Sequence, residues 1–192
     1  MSDKYRTKSI RLQNWDYSWN APYFITICTK NKEYYFGNIV NNDMKLSSIG
    51  ILADVFLYEI KNHAKNVELG SFIVMPNHIH MILVLNDNVN NVNNVETRHA
   101  LSIFHQQTIG QQRFQNQGKN TISSIIGSYK SAVTKHAHRL GFNFAWQSRF
   151  HEHIIRNEES YNIIENYIRE NPIKWNDDRF YVKTNVKTRQ CR

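Results

Sequence analysis

The stretch VMPNHIHMILVL (residues 74–85) places two histidines inside a segment that is otherwise apolar. Its Pro-Asn pair follows the apolar run VELGSFIV (residues 67–74) and is a turn signal, which predicts an antiparallel hairpin. Side chains alternate across a strand, so His78 and His80 are expected to point to the same face. Because both faces of this segment are otherwise apolar, it is predicted to be a central strand covered on both sides.

Two imidazoles on such a strand predict a metal site. Neutral imidazole is a common metal ligand, and the alternative is that each ring only hydrogen-bonds to a neighbour. Two other pairs have the same spacing in the sequence: His136 with His138, and His151 with His153. The first pair diverges by about 200° on a predicted helix. The second lies on a predicted strand among charged residues, so the apolar flanks favour His78 and His80.

Hydrophobic periodicity predicts the remaining elements. In chain order they are a strand at 23–29, a hairpin turning at 41–43, a helix from Ser47 or Ser48 to 62–66, strands at 67–74 and 78–85, a helix at 121–140, a strand at 144–155 and a helix at 157–172. Apart from the small hairpin, the first six elements match a ferredoxin-like split βαβ arrangement. The predicted fold class is therefore α+β, an antiparallel sheet with helices on one face.

Composition predicts one domain. The chain has 192 residues, 41% of them hydrophobic, which is enough to build one core over residues 1–192. The Asn- and Gln-rich residues at about 86–120 lack a sustained apolar period, so we expect a flexible insertion there. Residues at about 176–192 are expected to form a basic C-terminal tail.

Charge and cysteine content narrow the function classes. A net charge of +8 favours nucleic acid as a partner, although a basic surface that only aids solubility is the simpler alternative. Cys28 and Cys191 form neither a disulfide framework nor a zinc motif. No apolar run reaches about 18 residues, and the first residues lack the apolar core of a signal peptide. We therefore expect a cytoplasmic protein without a membrane segment.

The last predicted helix carries a candidate nucleophile. Tyr167 and Asn171 are four residues apart, so they share one helix face about 6 Å apart along the axis. A phenol and an amide in this arrangement can supply a nucleophile and a metal ligand. The plainer alternative is that Tyr167 packs in the core and Asn171 ends the helix. Tyr129 is the rival nucleophile, but it lies in an apolar helix stripe with Val133 four residues later.

Several of these motifs together resemble one family. They are RLQNWDYSWNAPYFITICTKNKEYYFG (residues 11–37), VMPNHIHMIL (74–83), IGSYKSAVTK (126–135), WQSRFHEHIIRNEE (146–159) and YIRENP (167–172). In order and spacing, the chain resembles the single-tyrosine HUH transposases of the IS200-like transposase superfamily, and among them the REP-associated tyrosine transposases. The resemblance covers most of the chain and implies the HUH endonuclease fold.

The resemblance also implies residue roles. His78 and His80 match the paired histidines that bind Mg²⁺ or Mn²⁺, with Asn171 as the third metal ligand, and Tyr167 matches the nucleophile. The implied activity is metal-dependent cleavage and transfer of single-stranded, hairpin-forming DNA through a 5′-phosphotyrosine intermediate. Some relatives act as dimers, so a homodimer and a monomer are both compatible with the resemblance. Two other functions are weighed against it: a non-catalytic, domesticated hairpin-binding protein, and a hydrolase that uses water as the nucleophile.

Basic, amide and aromatic residues are the candidates to contact DNA. They are Arg6, Lys8, Arg11, Lys130, Lys135, Trp146, Gln147, Arg149 and Phe150. Unstacked bases bind to aromatic side chains and phosphates bind to cations. For Trp146 and Phe150, packing in the core is an equal alternative.

Overall fold

The computed structural model describes residues 21–86 and 121–182, which form two sheets and four α-helices. In chain order the elements are β1 (Pro22–Thr29), β2 (Gly37–Val40), β3 (Asp43–Leu46), α1 (Ser48–Tyr58), α2 (Ile60–His63), β4 (Val67–Met75), β5 (His78–Leu85), α3 (Ile122–Arg139), β6 (Trp146–Ile154) and α4 (Glu158–Glu170). Short 3₁₀ turns cover Lys30–Lys32 and Trp175–Asp177. Each predicted strand and helix within these ranges is present, and the first predicted helix is divided at Glu59 into α1 and α2.

The main sheet has the ferredoxin-like strand order. Its four strands lie in the order β4-β5-β1-β6, and every neighbouring pair is antiparallel. Strands β2 and β3 form a separate hairpin, in which Asn41 and Asn42 adopt the positive φ angles that a tight two-residue turn requires. The predicted α+β class with an antiparallel sheet is therefore confirmed. Strand β5 lies between two neighbours, as a central strand.

Alternation along β5 divides the protein into two layers. One face of the strand packs with α1 and α3 in the main core, through Ile79, Met81, Leu83 and Leu85. The opposite face carries His78, His80 and Ile82, and Ile82 packs against Ile168 of α4. The prediction of helices on one face holds for α1 and α3, whereas α4 covers part of the other face. That second face is where the histidines lie.

Side-chain caps set the N-terminal ends of α1 and α4. Ser47 Oγ accepts a hydrogen bond from the N–H of Gly50 at 3.1 Å, so α1 begins at the predicted hydroxyl residue. Asn157 Oδ1 accepts from the N–H of Ser160 at 2.8 Å at the start of α4, where two glutamates favour the positive end of the helix dipole. The cap at Asn157 fixes the residue at which α4 begins.

The turn before His78 is fixed by hydrogen bonds from residues outside the β4–β5 hairpin. The N–H and the hydroxyl of Thr29 donate to the carbonyl oxygen of Asn77 at 2.9 and 3.0 Å. The N–H of Phe36 donates to the carbonyl oxygen of Pro76 at 3.1 Å. These bonds tie the turn to the end of β1 and to the segment that follows it, so β5 enters the sheet from a fixed point.

Parts of two predicted regions lie outside the described residues. Of the predicted insertion at 86–120, all but Asn86 lies outside, and so do residues 183–192 of the predicted tail and residues 1–20. Among the described helices, none combines the length and the apolar character needed to cross a membrane.

We expect Tyr129→Phe to reduce the free energy of unfolding by about 1 kcal/mol, because it removes the buried hydrogen bond from the phenol to the Ala53 carbonyl oxygen. Tyr58→Phe is the control, since Tyr58 is exposed and its loss of a hydroxyl should change stability by less than about 0.5 kcal/mol. Urea unfolding of the two variants measures the difference. Equal stability of the two variants would contradict the buried bond.

Candidate active site

His78 and His80 lie side by side and are both fully buried. Their ring centroids are 4.5 Å apart. Burial, with smaller contributions from Arg179 and Lys32, lowers the pKa of His78 to about 3. Burial and the neighbouring His78 hold the pKa of His80 well below its usual value. Both rings are therefore neutral at pH 7, the protonation state that binds metal ions.

Each ring uses its Nδ1 atom for a contact with a neighbouring side chain. His78 Nδ1 is 2.9 Å from Asn77 Oδ1, and His80 Nδ1 is 2.9 Å from Thr26 Oγ1. His78 Nε2 is buried without a hydrogen-bond partner among the described residues. A buried nitrogen without a partner is costly unless a ligand satisfies it.

Tyr167 and Asn171 of the last helix meet these histidines. The Tyr167 hydroxyl lies 3.2 Å from His80 Nε2, while the residue is 38% exposed. Asn171 is buried, and its Oδ1 has no partner within the described ranges. The structure therefore brings together all four residues that the sequence analysis singled out for metal binding and nucleophilic attack.

Asp178 is a fifth member of the cluster that sequence reasoning did not identify. Its Oδ2 accepts hydrogen bonds from the Tyr167 hydroxyl at 3.3 Å and from Asn171 Nδ2 at 3.2 Å. Burial, followed by the charge of Asp178, raises the pKa of Tyr167 above its ordinary value. The phenol is therefore protonated at neutral pH, and it needs a proton acceptor before it can act as a nucleophile.

The cluster has the donors of a divalent-metal site. His78, His80 and Asp178 each offer one ligand atom, and these atoms lie within 4.8 Å of one another. Ligands of one ion at roughly 2.1 Å would lie within about 4 Å of each other, so a small adjustment brings them into range. Two imidazole nitrogens with carboxylate or amide oxygens suit Mn²⁺, and the oxygens suit Mg²⁺. The unpartnered Nε2 of His78 and Oδ1 of Asn171 fit the same interpretation.

A segment after α4 covers the histidines. The Phe180 ring lies 4.4 Å from the His78 ring and the Trp175 ring lies 5.9 Å from it, and both aromatic residues are buried. Lys32 and Arg179 approach the Phe180 ring at 5.3 and 4.7 Å. The sequence analysis treated residues from 176 onward as a basic tail, yet its described part contributes to the site. Trp175, which immediately precedes that basic run, and Phe180 within it were the available signal.

The rival nucleophile Tyr129 lies on the opposite side of the sheet. Its hydroxyl donates to the carbonyl oxygen of Ala53 at 2.8 Å in the main core. Burial raises its pKa well above the usual value. The structure therefore does not bring Tyr129 to the histidines.

The other histidine pairs are placed differently. His151 is exposed on β6 and lies in one row with Thr26 and His80 across the sheet, so it shares their face. On α3, His136 packs against Phe56 at 4.9 Å and His138 contacts the Phe144 carbonyl. The buried pair on β5 is thus the one that faces the tyrosine.

Among the predicted DNA contacts, Arg6, Lys8 and Arg11 lie outside the described residues. Lys130 Nζ donates to the carbonyl oxygens of Gln147 and Ser148 at 2.6 and 3.2 Å, so it joins α3 to β6.

The two aromatic candidates contribute to packing, and the remaining polar ones lie at the surface. Trp146 Nε1 donates to the Lys130 carbonyl oxygen at 3.1 Å, and the side chains of Trp146 and Phe150 pack against the main core. Lys135, Gln147 and Arg149 are exposed.

No family model matches the chain. A protein of Haemophilus influenzae strain Rd, described as uncharacterized, is 36% identical over 176 residues, which is 91% of this chain and 93% of the relative. The chain belongs to the same family as this Haemophilus influenzae protein.

Two solved structures match the chain. One described as a REP-associated tyrosine transposase bound to a REP hairpin matches with a TM-score of 0.55 and 20% identity, over 86% of this chain and 74% of that chain. A second, proposed to be a transposase of Deinococcus radiodurans, matches with a TM-score of 0.41 and 13% identity over 84% and 96% of the two chains. The α+β fold of the family is thus the fold of the first of these transposases.

We expect His78→Ala to weaken Mn²⁺ binding by more than about 10-fold, since loss of a residue that merely orients a ligand already costs that much. His151→Ala is the matched control because His151 is exposed on the same sheet face, and it should bind Mn²⁺ like the unmodified protein. Calorimetric titration in the absence of DNA measures both affinities. A stronger effect of the His151 variant would contradict the assignment.

Proposed function

We propose that the protein is a metal-dependent single-stranded DNA endonuclease and strand transferase, a single-tyrosine HUH transposase of the REP-associated group that acts on hairpin-forming DNA. The observation that carries the proposal is the position of the Tyr167 hydroxyl, 3.2 Å from Nε2 of the buried His80. A phenol held beside paired neutral imidazoles is suited to attack on a metal-bound phosphodiester. The resemblance to the hairpin-bound transposase structure supports the class of substrate.

The proposed metal ligands are His78, His80 and Asn171, while Asp178, whose Oδ2 accepts hydrogen bonds from Tyr167 and Asn171, is the proposed proton acceptor. When bound, Mg²⁺ or Mn²⁺ would supply a Lewis acid that polarises the scissile phosphodiester and orients it. His78 and His80 present Nε2 because their Nδ1 atoms are occupied by Asn77 and Thr26. Asn171 presents Oδ1, which is buried and has no other partner among the described residues.

The chemical step is attack by the Tyr167 oxygen on phosphorus. A bond forms between that oxygen and phosphorus while the bond from phosphorus to the 3′ oxygen breaks. The phenol proton passes to Asp178 Oδ2, which already accepts a hydrogen bond from the hydroxyl. The leaving 3′ oxygen takes a proton from solvent. The product is a 5′-phosphotyrosine, and a second 3′-hydroxyl can attack it to join strands.

The β6 side of this sheet face, where described residues are exposed, is the proposed route for the DNA strand. Helix α4 packs on the β4 and β5 side of this face. On the β6 side, Arg149, His151 and His153 are exposed in alternate positions, and Thr26 joins their row to that of His80. An exposed row that carries an arginine and two imidazoles, which can donate hydrogen bonds, suits a phosphate backbone.

The decisive test of this proposal is a covalent protein–DNA adduct. With Mn²⁺ and single-stranded hairpins from the DNA flanking the gene, the unmodified protein should form an adduct that survives denaturation. Tyr167→Phe should form none, because it lacks the nucleophilic oxygen, while its hairpin affinity should stay within about 2-fold, since phosphate contacts dominate binding.

Tyr129→Phe is the matched control, since it removes the hydroxyl of a tyrosine in the main core. It should form the adduct at the normal rate. Adduct formation by Tyr167→Phe would contradict the assigned nucleophile. Tight hairpin binding by the unmodified protein without any adduct would instead support a non-catalytic binding protein.

A further inference from the structure

Asn77 is a fully buried polar residue whose side chain touches three different parts of the site. Its Oδ1 lies 2.9 Å from His78 Nδ1. Its Nδ2 donates to the carbonyl oxygen of Lys32 at 3.1 Å and to that of Phe180 at 2.8 Å. The amide therefore links the histidine, the turn after β1 and the segment that covers the site.

These partners determine which way the amide points. A backbone carbonyl oxygen can only accept, so the side of Asn77 that faces Lys32 and Phe180 has to be the NH₂ group. A flipped amide would set its oxygen against two carbonyl oxygens and lose both hydrogen bonds in a buried place, where each loss costs about 1–3 kcal/mol. The amide oxygen must therefore face His78.

The amide oxygen in turn determines the tautomer of His78. An amide oxygen only accepts hydrogen bonds, so Nδ1 of the neutral ring has to carry the hydrogen. Nε2 then keeps its lone pair, and it is the buried atom that has no partner among the described residues. In the opposite tautomer, Nε2 would carry a hydrogen and could not bind a cation.

His80 has no such constraint at its Nδ1 atom. Its Nδ1 faces the hydroxyl of Thr26, which can either donate or accept. The hydroxyl is therefore compatible with both tautomers of His80. Of the two partners at Nδ1, the amide of Asn77 and the hydroxyl of Thr26, only the amide dictates a tautomer.

We propose that Asn77 is a positioning residue that locks His78 in the Nδ1–H tautomer and so directs the Nε2 lone pair to the cation. The inference rests on the cation site of the proposed function and adds a residue that acts through His78. Groups that hold the second nitrogen of a metal-binding histidine fix both its tautomer and its ring orientation. Here the same amide also holds the backbone of Phe180, so the covering segment and the ligand are parts of one hydrogen-bonded unit.

Two variants distinguish the role of the Asn77 amide oxygen from the role of its NH₂ group. Asn77→Leu removes both the acceptor for His78 and the donors to the two carbonyl oxygens. Asn77→Asp keeps an acceptor for His78 but loses the NH₂ group. A purely structural role predicts equal effects of the two variants, whereas the positioning role predicts rescue by aspartate. Asn62→Leu is the control at an exposed asparagine outside the site.

The first readout is the His78 tautomer in the metal-free protein at pH 7, measured by long-range ¹H–¹⁵N correlation. We expect a protonated Nδ1 in the unmodified protein, in Asn77→Asp and in Asn62→Leu, and a mixture of tautomers in Asn77→Leu. The second readout is Mn²⁺ affinity, which should fall about 10- to 100-fold in Asn77→Leu and stay within about 3-fold in Asn77→Asp.

A protonated Nε2 in the unmodified protein, or equal loss of affinity in both Asn77 variants, would overturn the proposal. Thermal melting shows which variants fold. If Asn77→Leu does not fold, the tautomers of the unmodified protein and Asn77→Asp carry the test. These measurements use neither DNA nor cleavage, so a missing covalent adduct would count against the proposed function and leave the result for Asn77 intact.

Discussion

The structure depends on how two imidazoles are satisfied inside a central β-strand. His78 and His80 have no exposed surface, and burial keeps both rings neutral. Their Nδ1 atoms are satisfied by Asn77 and Thr26, which leaves the Nε2 atoms directed away from the sheet. Burying the polar imidazoles of this strand costs free energy unless they have hydrogen-bond partners. Neighbouring residues supply these partners for the Nδ1 atoms.

The helices on the two faces of β5 have different structural roles. On one face, α1 and α3 bury the apolar side chains of the strand and supply the main core. On the other face, Ile168 of α4 packs against Ile82, and the same helix places Tyr167 beside the histidines. The candidate site is thus built on a central strand and a capped helix, an arrangement that would hold the proposed nucleophile in a fixed position.

Local pattern predicted the parts of the site that lie on regular elements. Period-two alternation placed His78 and His80 on one face, and the four-residue spacing placed Tyr167 and Asn171 on one side of a helix. Pattern did not predict Asp178, because the segment that carries it lacks a regular period and is positioned by buried aromatic contacts of Phe180. Local sequence patterns do not predict long-range packing of this kind. Charge alone also did not predict the contacts of Lys130, whose ammonium group donates hydrogen bonds to backbone carbonyl oxygens.

The central claim is that the buried histidine pair, and not the exposed one, holds the catalytic cation beside Tyr167. Anomalous diffraction at the manganese edge from crystals soaked in Mn²⁺ tests it directly. The account predicts a peak within roughly 2.3 Å of Nε2 of both His78 and His80 and on the Tyr167 side of the rings. A peak bound by His151 and His153, with none between the buried rings, would contradict it.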